Sequence, residues 1–235
     1  MTQSPHSGPQ LARLAALLAD ETRAAICLAL LDGRAWTAGE LARYAGVAAS
    51  TATEHLNKLI DGGLLAQERQ GRHRYVRLAG PQVAQLIEDL SAYAAPPAPP
   101  RTLRASSASA ALARARTCYD HLAGRLGTTI TDAMLERGLL QGSTGFALTD
   151  SGMDWFRELG IDLPDAASRG RRPMARSCLD WTERRPHLAG VAGAALCRHA
   201  LDTGWCVRIG SGRALRVSPD GERALRDLLG VTAVA

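Results

Sequence analysis

Apolar positions along the first third of the chain fall at helical spacing. Leu11, Leu14, Leu17 and Leu18, then Ile26, Leu30 and Leu31, repeat with the period of one buried helix face. Asp20 reads as a cap between two helices, with Arg23 in the next turn, and Gly33 ends the second. Thr37 and Glu40 form a capping-box pattern ahead of a third helix over 37–46, with Leu41 inward. A fourth helix is predicted over 49–62: Leu56, Leu59 and Ile60 face one side and short polar residues the other. Gly62 and Gly63 stop it, and Leu64-Leu65 begin a strand. Gln70-Gly71 is a hairpin tip, and Tyr75, Val76 and Leu78 lie on the returning strand. Val83, Leu86, Ile87 and Leu90 mark a fifth helix over 81–93.

Four prolines between 96 and 100 forbid a helix there, so 96–107 is expected to be a semi-extended linker between a domain at 1–95 and a second at 108–235. The second half repeats itself. His121-Leu-Ala-Gly-x-x-Gly127 recurs as His187-Leu-Ala-Gly-x-x-Gly193, and Leu135 and Gly138 match Leu201 and Gly204 at the same offset. Asp150-Ser-Gly152 and Asp220-Gly221 continue the register after a short insertion. Each unit, about 108–167 and 177–235, reads as helix, strand pair, helix. The expected fold is α+β, mainly α with small hairpin wings: a winged helix-turn-helix followed by a tandem of degenerate winged-helix-like repeats.

Two helices joined at Gly46 and followed by a basic hairpin have the layout of a DNA-reading module. A helix in the major groove must present short polar groups to base edges. Ser50, Thr51, Thr53, Glu54, Asn57 and Lys58 occupy that position. Arg69, Arg72, His73 and Arg74 surround the hairpin tip, where cations suit phosphates or a neighbouring minor groove. A solvated amphipathic helix with a basic hairpin would share each feature singly, but not all of them in this order.

The segments Leu18-Ala-Asp-Glu-Thr-Arg23, Glu40-Leu-Ala-x-x-Ala-Gly-Val47, Ser50-Thr-Ala-Thr-Glu-His55-Leu56-x-x-Leu59, Gly63-Leu64-Leu65 and Gly71-Arg-His-Arg-Tyr75 together resemble the ArsR/SmtB family of bacterial winged-helix regulators, over about residues 10–94. The resemblance implies a homodimeric repressor of a pseudo-palindromic double-stranded DNA operator, released by an effector. It also implies that His55 is buried rather than base-contacting. The chain departs from family metal sensors: the 37–46 helix has no Cys pair, and residues 81–94 carry Glu88 and Asp89 but no His. Sensing is therefore expected in the C-terminal half.

Composition narrows the picture further. A net charge of +5 and a pI near 9.3 suit a polyanionic partner. No signal-peptide pattern or membrane-length apolar run occurs, so the cytoplasm is the expected location. Five cysteines, an odd number, argue against a disulfide framework. Walker, Rossmann, GxSxG and HExxH patterns are missing, which speaks against an enzyme. A non-specific architectural DNA binder is disfavoured by the polar recognition helix. No cofactor is required for this reading.

For the effector three alternatives stand. Cys118-x-Asp120-His121 and Cys178-x-Asp180 could supply zinc or another transition metal with Cys118, His121, Cys178 and His187, provided the repeats face each other. Cys118 and His121 would then share a helix face. An organic effector would instead use Tyr119, Trp181, Arg184 and His187 between the repeats. Alternatively the cysteines are core, in line with Leu112, Ala115 and Leu122. A thiol switch would need an exposed Cys near cations, for which Cys197-Arg198-His199 and Cys178 are the local candidates.

Overall fold

The computed structural model describes residues 7–71, 73–94, 102–142, 145–165 and 172–232. They form two compact units, 1–87 and 88–235.

The first unit opens with α1 (Ser7–Leu18) and α2 (Glu21–Ala29). Asp20 caps α2 by accepting from the Arg23 amide, and Gly33 turns the chain in the left-handed region after the following 3-10 turn. A short strand β1 (Trp36–Thr37) leads into α3 (Ala38–Ala45), where the capping box of Thr37 and Glu40 is formed in full. Gly46 at φ 68 ends α3 and aims the chain into α4 (Ala49–Asp61). Ala52, Leu56 and Leu59 are the buried stripe of α4, and Ile26, Leu30, Leu31 and Leu41 are buried on neighbouring elements. Each such leucine contributes about 1.5–3 kcal/mol by leaving water. The wing is β2 (Leu65–Gln70) and β3 (His73–Leu78), antiparallel, with β1 on the outer side of β3. α5 (Pro81–Tyr93) follows, and the boundary between the units falls inside it.

The second unit begins at Glu88, ahead of the expected position near 95. Residues 103–107 are not linker but the first turns of α6 (Leu103–Arg114), which starts as soon as the prolines end because Thr102 caps the Ala105 amide. The expected linker residues 96–101 lie outside the described residues.

Each repeat is a hairpin, a long helix, a second hairpin and a last helix. The first comprises β4 (Arg116–Cys118), β5 (His121–Ala123), α7 (Gly124–Glu136), β6 (Leu140–Gln141), β7 (Ala147–Leu148) and α8 (Asp150–Glu158). The second comprises β8 (Arg176–Leu179), β9 (Pro186–Ala189), α9 (Gly190–Asp202), β10 (Cys206–Arg208), β11 (Leu215–Val217) and α10 (Pro219–Leu229).

The leading hairpins overturn one expectation. Cys118 and His121 do not share a helix face; α6 stops at Arg114, and the two residues face each other across β4–β5. A two-residue turn, Tyr119-Asp120, joins the strands, with Tyr119 at φ 53. Three residues of each His-Leu-Ala-Gly motif are strand, and only the glycine begins the helix.

Packing explains why the motif repeats. Gly124 and Gly190 start their helices at φ 73 and 86, where a Cβ would also meet backbone carbonyls at 2.7 and 2.8 Å. A Cβ on Gly127 would sit 2.3 Å from the Leu122 carbonyl oxygen, and one on Gly193 2.5 Å from that of Leu188. The same added Cβ would also lie 3.7 Å from the Cβ of His187 at Gly127 and 3.3 Å from that of His121 at Gly193, each the opposite repeat's histidine. α7 packs on β9 and α9 on β5, so each helix covers the other repeat's hairpin. The Leu188 amide donates to Thr131 Oγ1 across the same seam, and one core runs through both repeats, from Leu126 and Phe156 to Leu196 and Leu225.

Candidate functional site

Two sites emerge, one on the surface of the first unit and one inside the second. On α4, Ser50, Glu54, Asn57 and Lys58 are exposed, and Thr51 and Thr53 are half-buried, Thr53 returning a hydrogen bond to the Ala49 carbonyl. At the wing tip Arg69 pairs across the strands with half-buried Arg74, and His73, opposite Gln70, is exposed. Arg72 lies outside the described residues. Arg74 Nη2 donates to Asn57 Oδ1 at 2.9 Å, so helix and wing share a hydrogen bond. His55 sits against Arg23 Nη1 at 3.4 Å and Asp20 Oδ1 at 3.6 Å, on the side of the core.

The second site is a buried cage. Cys118 is the Cα partner of His121, and Cys178 the Cα partner of His187. Each hairpin therefore offers one sulfur and one imidazole, and the seam brings the pairs together. One donor atom from each of these four buried side chains lies within 4.8 Å of every other. His121 Nε2 and His187 Nε2 are 3.1 Å apart, with the rings stacked at 5.0 Å. Two nitrogens bound tetrahedrally to one zinc ion would lie about 3.3 Å apart.

The two aspartates of the Cys-x-Asp segments stand behind the imidazoles. His121 Nδ1 is 3.4 Å from Asp120 Oδ1, which Arg172 also holds at 2.9 Å. His187 Nδ1 points toward Asp180 Oδ2 at 3.6 Å, beyond hydrogen-bond range, and among the described residues has no hydrogen-bond partner. A carboxylate at Nδ1 favours the tautomer that leaves Nε2 as the donor toward a metal. Asp180 does far more than cap a turn. It is fully buried, pairs with fully buried Arg116 at 2.8 Å, and accepts from the amides of Gly124, Thr182 and Glu183 and the Thr182 hydroxyl. Burial pushes its pKa up, but Arg116 and these donors outweigh burial and hold it well below the ordinary carboxylate range.

The sulfurs are an unequal pair. The hydrogen bond between them and burial raise the Cys118 thiol, while the bond from Cys118 lowers Cys178 strongly, helped by both histidines. Burial opposes charge on His121, but Glu88, Asp120 and Cys178 raise it to about 10; burial lowers His187. A thiolate beside two imidazoles is a donor set for a borderline-soft divalent ion. Sequence reasoning missed Glu88, which is buried on α5 with Oε2 3.8 Å from Cys178 Sγ. Burial pushes that carboxyl up to about 7.

The other expected effector residues lie on the same hairpins. Tyr119 is in the β4–β5 turn, Trp181 lies under the Arg116 guanidinium at 4.7 Å, and exposed Arg184 donates to the Ala92 carbonyl. Of this expected set, His187 lies inside the cage. Cys27, Cys197 and Cys206 are buried, and burial pushes each thiol up to about 12, which removes Cys197 as an exposed reactive thiol. Among the described residues no helix is long and apolar enough to cross a membrane.

Residues 18–68 match a family described as a helix-turn-helix domain. Over 224 residues the chain is 42% identical to the uncharacterized HTH-type transcriptional regulator YdfF of Bacillus subtilis, covering 95% of this chain and 98% of the relative. The HTH-type transcriptional regulator CmtR of Mycobacterium tuberculosis is 39% identical over 80 residues, 34% of this chain and 67% of that protein. Among solved structures, the homodimeric winged helix-turn-helix DNA-binding domain of a possible ArsR-family regulator from Mycobacterium bovis is 32% identical. It covers 37% of this chain and 82% of its own, with a TM-score of 0.33.

Proposed function

The chain belongs to the HTH-type transcriptional regulators, in the winged helix-turn-helix class of ArsR/SmtB, and from that premise we propose that it is a homodimeric repressor whose effector is a zinc-class divalent ion. Cys118, His121, Cys178 and His187 hold the ion. The convergence of these four buried donors from two distant hairpins carries the reading. Four protein ligands close a tetrahedral site, which suits binding and release of an ion rather than catalysis on it. Because two donors come from each repeat, the ion would cross-link the repeats and favour one arrangement of the second unit. DNA is read by Ser50, Thr51, Thr53, Glu54, Asn57 and Lys58 of α4, and gripped by Arg69, Arg72, His73 and Arg74 of the wing. Metal occupancy weakens that grip.

The test is zinc binding by the full-length protein, measured by elemental analysis after dialysis and by cobalt substitution. One ion per chain, with the thiolate-to-cobalt charge-transfer band of a mixed sulfur–nitrogen site, is expected. Cys118→Ser with Cys178→Ser removes both signals. A folded wild-type protein that takes up no metal would sink the proposal. The Cys118–Cys178 contact favours a second reading, a thiol switch. A disulfide between these two formed by mild oxidation, without metal uptake, would put that reading in its place. Sedimentation of the purified protein tests the dimer, which a monomer at binding concentrations overturns.

A further inference from the structure

Most of the groups that touch the cage come from the duplicated hairpins; Glu88 comes from α5. That helix starts at Pro81, in the first compact unit, and ends at Tyr93, in the second. Its last turns are tied to the second repeat's hairpin at three points. Glu88 Oε2 lies 3.8 Å from Cys178 Sγ and 3.9 Å from Arg176 Nη2. Arg176 Nη1 reaches Asp89 at 3.6 Å. Arg184, at φ 56, donates to the Ala92 carbonyl at 3.2 Å. Glu88 is only 5% exposed, and its Oε1 has no hydrogen-bond partner among the described residues. A buried carboxylate oxygen without a partner is costly and sensitive to any charge placed nearby.

On the reading of the cage as a metal site, we infer that Glu88 is the group through which α5 senses whether the cage is occupied. Glu88 touches a sulfur that the ion would bind, so an ion in the cage changes the charge and the packing that this buried carboxyl faces. With the ion in place, Glu88 must turn to Arg176 or toward the ion. Either move alters how the end of α5 is held, and α5 is continuous with the DNA-binding unit. Occupancy thus has the differential contact that coupling between two sites requires. Glu88 is a positioning residue here, not one of the four metal ligands.

The experiment uses full-length wild type, Glu88→Ala, Glu88→Gln and, as an exposed position on the same helix away from these ties, Gln82→Ala. Zinc affinity is read by competition with a chromogenic chelator. DNA affinity is read by fluorescence anisotropy, with and without zinc, on a duplex that metal-free wild type selects from a random pool. In wild type and Gln82→Ala, zinc is expected to weaken DNA binding by about 5–150-fold. In the Glu88 variants zinc still binds, and its effect on DNA falls to within about twofold. A Glu88 variant that binds zinc and keeps the full DNA response overturns the inference and leaves the metal reading standing. Loss of zinc binding in both variants also overturns it, by making Glu88 a ligand. Wild type that binds zinc without any DNA response overturns the coupling, and wild type that binds no zinc overturns the metal reading with it. Hydrogen exchange of wild type is independent of any variant's folding: zinc is expected to change protection over residues 86–93, and unchanged protection there counts against the inference.

Discussion

The two units keep their functional groups in opposite places. On α4 and the wing, Ser50, Glu54, Asn57, Lys58, Arg69 and His73 face solvent while Ala52, Leu56 and Leu59 do the packing. In the duplicated unit the candidate ligands are themselves core: Cys118 and Cys178 cluster with Ala123 and Ala189, and both histidines are buried. In the first unit function and stability are therefore separable. In the second, the groups that hold the cage in shape are the groups that hold the repeats together.

The largest effect that would test this contrast is at Asp180. Asp180→Ala leaves Arg116 charged, fully buried and without its carboxylate, and strips the Gly124 amide of its acceptor. Breaking such a pair from one side costs about 3–5 kcal/mol. Urea unfolding of the full chain measures it, and a loss below about 1 kcal/mol would break the comparison. Next come Gly127→Ala and Gly193→Ala. Each new methyl would press on a strand carbonyl of its own repeat, at 2.3 and 2.5 Å, and each glycine faces the other repeat's histidine. The expected cost is about 1–3 kcal/mol apiece, close to equal because the positions are equivalent. One harmless substitution of the two would show that the repeats pack differently.

Asp120→Asn is gentler and more specific. Asp120 is 30% exposed and tied to Arg172 rather than to a saturated buried network. The substitution is expected to lower zinc affinity about 10–100-fold by loosening the His121 tautomer. Stability should shift by less than about 1 kcal/mol. Chelator competition and urea unfolding, run on one sample, separate the two quantities. A large loss of stability would place Asp120 with Asp180, inside the structural network.

How far each site was legible follows from the distance over which it is specified. Caps and stops in the first unit are local. Asp20, Thr37 with Glu40, and Gly46 each act within one turn, so the elements from α2 to α5 could be read with little shift. The recognition layout follows from their order. The four cage residues could be nominated from the repeat, because a motif that recurs in register implies equivalent places. Their conformation could not. Cys118 and His121 are three apart, which suits a helix; Cys178 and His187 are nine apart, which does not, and the structure gives both pairs the same cross-strand register. The hairpin with the longer turn was the better guide. Glu88 was beyond reach for another reason. It is separated from Cys178 by 90 positions, and no pattern within α5 distinguishes a buried carboxylate from half-buried Asp89 beside it.

The smallest effects are expected where function lies on the surface, and Asn57 with Arg74 is the sharpest place to look. Taken separately, an amide on a recognition helix suggests base reading and a wing arginine suggests a phosphate. Arg74 Nη2 donates to Asn57 Oδ1 at 2.9 Å, so the arginine also fixes which way that amide presents itself. Asn57→Ala should relax the preference at one base position and cost about 1–3 kcal/mol of DNA affinity. Arg74→Ala should weaken every duplex and, in addition, blur the same base position. A double-mutant cycle over single-base variants of the selected duplex is expected to give a coupling of about 0.5 kcal/mol or more. Strict additivity would return the two residues to independent roles. Both single variants should keep their unfolding midpoints within about 0.5 kcal/mol of wild type. A larger drop would mean that this surface bond also supports the fold, and the contrast between an exposed site free of structural duty and a buried one made of it would fail at its gentler end.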